Sequence, residues 1–137
     1  MRPVVRVVIA ALLLGVPACG DDGVDPDPTE RQDFTGTYTI VSFAQGAAGI
    51  PVPGASGTVV LTATTYTFSV TVPPFVITDE GTYEANGTPT SGTWRQQSTA
   101  DPNLQSTGTY AVDPVTDQLT LDTTVQGIRN LIVLQKT

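Results

Sequence analysis

The chain contains no histidine, one cysteine, one methionine and one tryptophan. Without histidine no Ser-His or Cys-His pair can activate a nucleophile. A zinc site would have to be built from carboxylates alone. A single thiol forms no intramolecular disulfide. Cations are scarce, with six Lys and Arg against thirteen Asp and Glu and a formal net charge of −7. That balance speaks against nucleic acid and against docking on anionic lipid through a basic patch. Apolar residues at helical spacing are missing as well, so no glycine-rich phosphate loop precedes a helix. An enzyme is not expected, nor a metal or a cofactor.

Long apolar runs are also rare, with one exception at the start. Arg2 and Arg6 supply a positive start, Val4 to Val16 is an almost unbroken apolar run, and Ala18 precedes Cys19. A charged beginning, a short apolar run and a small residue before the break are the pattern of an export signal. The run is shorter than the roughly 20 residues a spanning helix needs. Val16-Pro17-Ala18-Cys19 resembles the lipobox of bacterial lipoproteins. The resemblance implies cleavage after residue 18, acylation of Cys19 and anchoring to a membrane. Several acyl chains make a stable anchor where one would not. Gly20 stands directly after the cysteine and the acids begin at Asp21. By that resemblance, the outer membrane or the surface of the envelope is favoured over the inner membrane.

Residues 19–33 carry Asp21, Asp22, Asp25, Asp27 and Glu30 with Pro26 and Pro28. So polar a segment cannot bury enough apolar surface to offset its ordering entropy, and its prolines and like charges keep it extended. It reads as a disordered acidic tether. The spacing of its acids does not match a calcium loop.

Residues 34–137 read as one β domain. In "TYTFSVTV" Tyr66, Phe68, Val70 and Val72 alternate with Thr65, Thr67, Ser69 and Thr71, a period of two with one apolar face. Similar runs separated by turn residues place strands at 35–43, 57–63, 65–72, 80–85, 91–97, 106–112, 118–123 and 128–135. Eight short strands with tight connections suit an antiparallel up-and-down barrel, which also removes the sheet edges. A β-sandwich is the alternative, but it would use crossovers and often a Cys–Trp–Cys signature. The triplet Gly-Thr-aromatic recurs at Gly36-Thr37-Tyr38, Gly81-Thr82-Tyr83, Gly92-Thr93-Trp94 and Gly108-Thr109-Tyr110. Residues two apart share a strand face. Glycine there permits tight coiling and leaves room for a ring, so these aromatics are assigned to the core.

Gly36-Thr37-Tyr38 at the first strand, a long loop, and a meander ending in "LIVLQKT" resemble the lipocalin-like (calycin) domains of bacterial lipoproteins. Tyr38 stands where that family has tryptophan, and Arg129 is the candidate for the arginine that stacks beneath it. The resemblance implies an eight-stranded calyx binding a small hydrophobic ligand.

In a meander alternate connections share one rim. The first loop ("AQGAAGIPVPGAS") and the third ("PPFVITD") bring Ile50, Val52, Pro73, Pro74, Phe75 and Val76 to a rim opposite the tether. These side chains form either a mouth or a plug, since eight strands are just wide enough to be filled. The expected inward set is Tyr38, Ile40, Leu61, Tyr66, Phe68, Val70, Val72, Tyr83, Trp94, Tyr110, Val112, Leu119, Leu121, Ile132 and Leu134. So many rings suggest a cavity that is small or absent. Ser42 and Gln96 are the polar candidates to point inward. Candidate ligand contacts are Ile50, Val52, Phe68, Phe75, Tyr83, Trp94, Gln96 and Tyr110. Asp79, Glu80, Glu84, Asp101, Asp113, Asp117 and Asp122 fall on turns or outward phases and read as solvated surface. Two functions follow: a membrane-anchored carrier of a small apolar ligand, or a filled barrel whose rim contacts a protein.

Overall fold

The computed structural model describes residues 30–137. The expected export signal, Cys19 and the expected tether up to residue 29 lie outside them. Nine strands form one sheet: β1 (Gly36–Gln45), β2 (Ile50–Pro51), β3 (Ser56–Leu61), β4 (Thr65–Val72), β5 (Phe75–Gly87), β6 (Ser91–Ser98), β7 (Gln105–Asp113), β8 (Gln118–Val125) and β9 (Ile128–Lys136). From β3 to β9 each strand pairs antiparallel with the next, and β1 pairs with both β3 and β9. The sheet therefore closes into an eight-stranded up-and-down barrel, the lipocalin-like architecture. The ninth strand, β2, is a two-residue addition on the end of β1.

Local chemistry accounts for the connections. Gln126 and Gly127 both have positive φ (49° and 82°), the two-residue hairpin geometry whose twist matches the strands it joins. The glycines of the Gly-Thr-aromatic triplets sit opposite bulky neighbours: Gly108 pairs with Trp94, Gly92 with Tyr110, and Gly81 with Tyr66. A β-carbon on Gly108 would run into the Asp122 carbonyl of β8, and one on Gly81 into the Gln97 carbonyl of β6. Close strand approach and ring coverage are thus met by the same residue.

Two stretches depart from the sequence reading. β5 begins at Phe75, not near residue 80, so "PPFVITD" is mostly strand, and the third connection shrinks to Pro73-Pro74. Residues 75–79 pair with β4 but lie beyond the register with β6, which starts at Gly81. This projecting hairpin arm leaves Phe75, Val76 and Ile77 exposed. In β1 a bulge falls between Ile40 and Ser42, because Ile40 opposes Leu134 while Ser42 opposes Val133. One extra residue reverses the alternation. Ser42, expected inside, is exposed, and Phe43 faces the interior instead.

Residues 30–32, assigned to the tether by the sequence reading, are paired with the end of β5. Arg31 bridges Asn86 antiparallel, Gln32 N donates to Ala85 O at 2.7 Å, and Gly87 N donates to Glu30 O at 2.8 Å. The Arg31 guanidinium donates to the Tyr83 carbonyl at 2.9 Å. This strap crosses the end of the barrel opposite the first, third, fifth and seventh connections and inserts Phe34 there.

Candidate functional site

The inward set expected from alternation is largely the core. Tyr38, Leu61, Tyr66, Val70, Tyr83, Trp94, Tyr110, Leu119, Leu121 and Leu134 are buried, joined by Val59 and Ala85. Their distribution along the axis matters more than their number. Phe34 packs edge-on against Tyr110 (centroids 5.0 Å, 68°) and lies 6.4 Å from Trp94. Tyr83 stacks on Trp94 at 4.7 Å and 14°. These rings, with Tyr38, stopper the end at which the strap enters. Their hydroxyls go to backbone carbonyls at that end: Tyr38 to Phe34 (2.9 Å), Tyr83 to Thr62 (2.7 Å) and Tyr110 to Thr88. Burial raises all three phenols above their ordinary pKa, Tyr38 to about 12.

The other half of the barrel is not filled, contrary to the plug reading. A cavity of about 470 Å³ runs from the rim down to Trp94. The rings of Phe34, Tyr38, Tyr83, Trp94 and Tyr110 close one end, whereas the open half is lined by Phe43, Tyr66 and Phe68 together with aliphatic and small polar groups such as Val59, Val70, Leu121, Ser98, Ala100 and Ser106. Eight strands filled at one end leave room at the other for one small ligand.

A polar cluster interrupts this lining. Asp79 Oδ2 accepts a hydrogen bond from the Tyr66 hydroxyl at 2.7 Å, and Oδ1 accepts one from Ser98 Oγ at 2.6 Å. The indole Nε1 of Trp94 donates to Gln96 Oε1 at 2.8 Å. Desolvation, with Asp79 second, pushes the Tyr66 hydroxyl far above the ordinary phenol range. Asp79 is therefore no solvated surface acid. Residues 75–87 form one strand, and the inward phase of Gly81, Tyr83 and Ala85 extends back to Asp79. Reading 73–79 as a loop hid that phase.

Of the expected ligand contacts, Phe68, Trp94 and Gln96 line the cavity together. Tyr83 and Tyr110 belong to the stopper beneath it. Ile50 and Phe75 stand exposed at the rim, and half-buried Val52 folds back on β1 through its amide to Phe43 O at 2.8 Å. None of these three lines the cavity. Sequence reading missed Phe43, Asp79, Ser98 and Ser106. Arg129 does not stack beneath Tyr38. It forms a two-pronged ion pair with Asp122, Nε to Oδ1 at 2.8 Å and Nη2 to Oδ2 at 2.7 Å, which lowers the Asp122 pKa. The cation over the Tyr38 ring is Lys136, with Nζ 5.9 Å from the centroid, within the range of a cation–π contact. Among the described residues no three acidic side chains gather as a metal site would require.

Fold and site together define a closed antiparallel barrel, stoppered at one end and hollow at the other, a form compatible with ligand binding. Comparison with known protein families, characterised proteins and solved structures found no match to this chain.

Proposed function

We propose that this chain is a lipid-anchored envelope protein whose lipocalin-like barrel binds one small, mainly apolar molecule. The observation that carries the reading is the cavity of about 470 Å³ open at the rim, a volume ordinary for small-molecule sites. Cys19 is the lipidation residue and the membrane its anchoring partner. The strap of residues 30–35 meets the barrel at its stoppered end, so an anchor on the same side leaves the mouth facing away from the membrane. Phe68, Trp94 and Gln96 contact the ligand, together with Phe43 and Leu121. Phe75 and Ile50 act at the entrance. No catalytic residue, metal or cofactor is assigned.

The test is native mass spectrometry of the whole chain purified from a bacterial envelope, followed by extraction of any bound molecule. A stoichiometric adduct that disappears in Val70→Phe/Leu121→Phe supports the carrier. A clean mass that stays clean after exposure to fatty acids, alkyl amines and isoprenoids contradicts it. Lipidation is tested by metabolic labelling with palmitate, which the reading expects in the wild type and not in Cys19→Ala.

A further inference from the structure

Polar groups gather on one part of the cavity wall. The adjacent strands β4 to β7 contribute Tyr66, Asp79, Gln96, Ser98 and Ser106 among the apolar Phe68, Val70 and Trp94, while β9, β1 and β3 contribute mainly apolar groups, Ile132, Leu134, Ile40, Phe43 and Val59, with Gln45 and Asn130. Asp79 carries the one formal charge among the lining residues, and no Lys or Arg lies among them. Arg129, between the lining residues Ile128 and Asn130, is committed to Asp122. A carboxylate has about four lone-pair sites, and the bonds from Tyr66 and Ser98 occupy two. On β7, two strands from Asp79 and paired with Gln96, Ser106 lines the same cavity; its Oγ is buried, the residue 3% exposed, and has no hydrogen-bond partner. A charge facing apolar walls is costly until paired, and a buried unpartnered hydroxyl adds to that cost.

Both features ask for one kind of guest. We infer that the cavity takes an amphiphile with an apolar tail and a protonated amine head, with Asp79 as counter-ion to the ammonium and Ser106 as a further acceptor. The inference rests on the ligand-binding reading above and narrows it. The ammonium supplies three donors and the opposite charge, while the tail lies against the aliphatic side of the wall. A carboxylate head would meet Asp79 with like charge. A neutral alcohol would gain one hydrogen bond and no ion pair.

The sole tryptophan, Trp94, lies at the cavity floor, so its fluorescence reports occupancy. The whole chain is titrated with octylamine, octanol and octanoate at neutral pH and low salt, as wild type, Asp79→Asn and Asp79→Glu. Octylamine should bind at least about tenfold more tightly than octanol, with octanoate weakest, as expected for a charge-assisted bond. Asp79→Asn should bring octylamine down to the affinity of octanol in the same variant, and Asp79→Glu should keep the preference. Equal affinity for octylamine and octanol in the wild type, or tightest binding of octanoate, overturns the amine assignment while apolar binding stands. No response to any of the three removes the ligand reading itself and the amine with it.

Discussion

The Tyr66 hydroxyl donates to the Asp79 carboxylate at 2.7 Å across two neighbouring strands, inside the barrel. Tyr66 is 3% exposed, and without Asp79 its hydroxyl would lose its acceptor. Tyr66→Phe should cost about 1 kcal/mol and Asp79→Ala about 1–3 kcal/mol, since the latter also removes the acceptor of the Ser98 hydroxyl. Denaturant unfolding of the two single variants and the double variant should show a coupling of at least about 0.5 kcal/mol. Additive losses would mean the bond contributes nothing to the fold.

Stopper and cavity are separable. Phe34 is half-buried against Tyr110 and Trp94 at the closed end. Phe34→Ala should cost about 2 kcal/mol in urea unfolding, less than a fully buried ring would. Ligand affinity in the folded protein should change by less than about threefold, because the ring lies below the floor formed by Trp94.

Barrel curvature depends on the paired glycines. Gly108→Ala places a β-carbon against the Asp122 carbonyl, a backbone atom that cannot move without shifting β8. Overpacking of this kind costs about 1–3 kcal/mol. The same change at Gly127, where nothing lies within 4 Å but φ is +82°, tests strain alone and should cost about 1 kcal/mol.

All four tyrosines, Tyr38, Tyr66, Tyr83 and Tyr110, have raised pKa values, chiefly through burial. A phenol that ionises near pH 10 when unfolded and later when folded binds more protons in the native state between those values. Stability then falls as pH rises. It is fully present below pH 10 and is lost from there towards about 12 and beyond. Tyrosinate absorbance should therefore appear in one cooperative step together with loss of the native circular dichroism. Independent titration of tyrosines near pH 10 in a still-folded barrel would contradict this.

Much of the fold was legible because the rule that shapes it is local. Alternation in β4 and the aromatic phase of β6 and β7 follow from period two, and antiparallel closure follows from short connections. Three features lay beyond that rule. The bulge at Val41 is an event of pairing with β9, and nothing in "TYTIVSFAQ" marks the extra residue. Pro73-Pro74 reads as the start of a loop, but it is the whole connection, so Ile77 and Asp79 were denied a strand face. The gathering of Phe34, Tyr38, Tyr83, Trp94 and Tyr110 at one end is a property of the axis, which alternation does not carry. Phe34, which the sequence reading leaves just ahead of the first strand, supplies a ring of that stopper. The cavity followed from that placement and not from the number of apolar residues.

The most direct test of a hollow, open barrel is energy transfer from Trp94 to an apolar naphthylamine dye added to the whole chain. One saturable dye per chain, with transfer abolished in Val70→Phe/Leu121→Phe while the fold persists, is the result expected. Transfer that never saturates, or that survives filling of the cavity, would place the dye elsewhere and contradict a ligand chamber above Trp94.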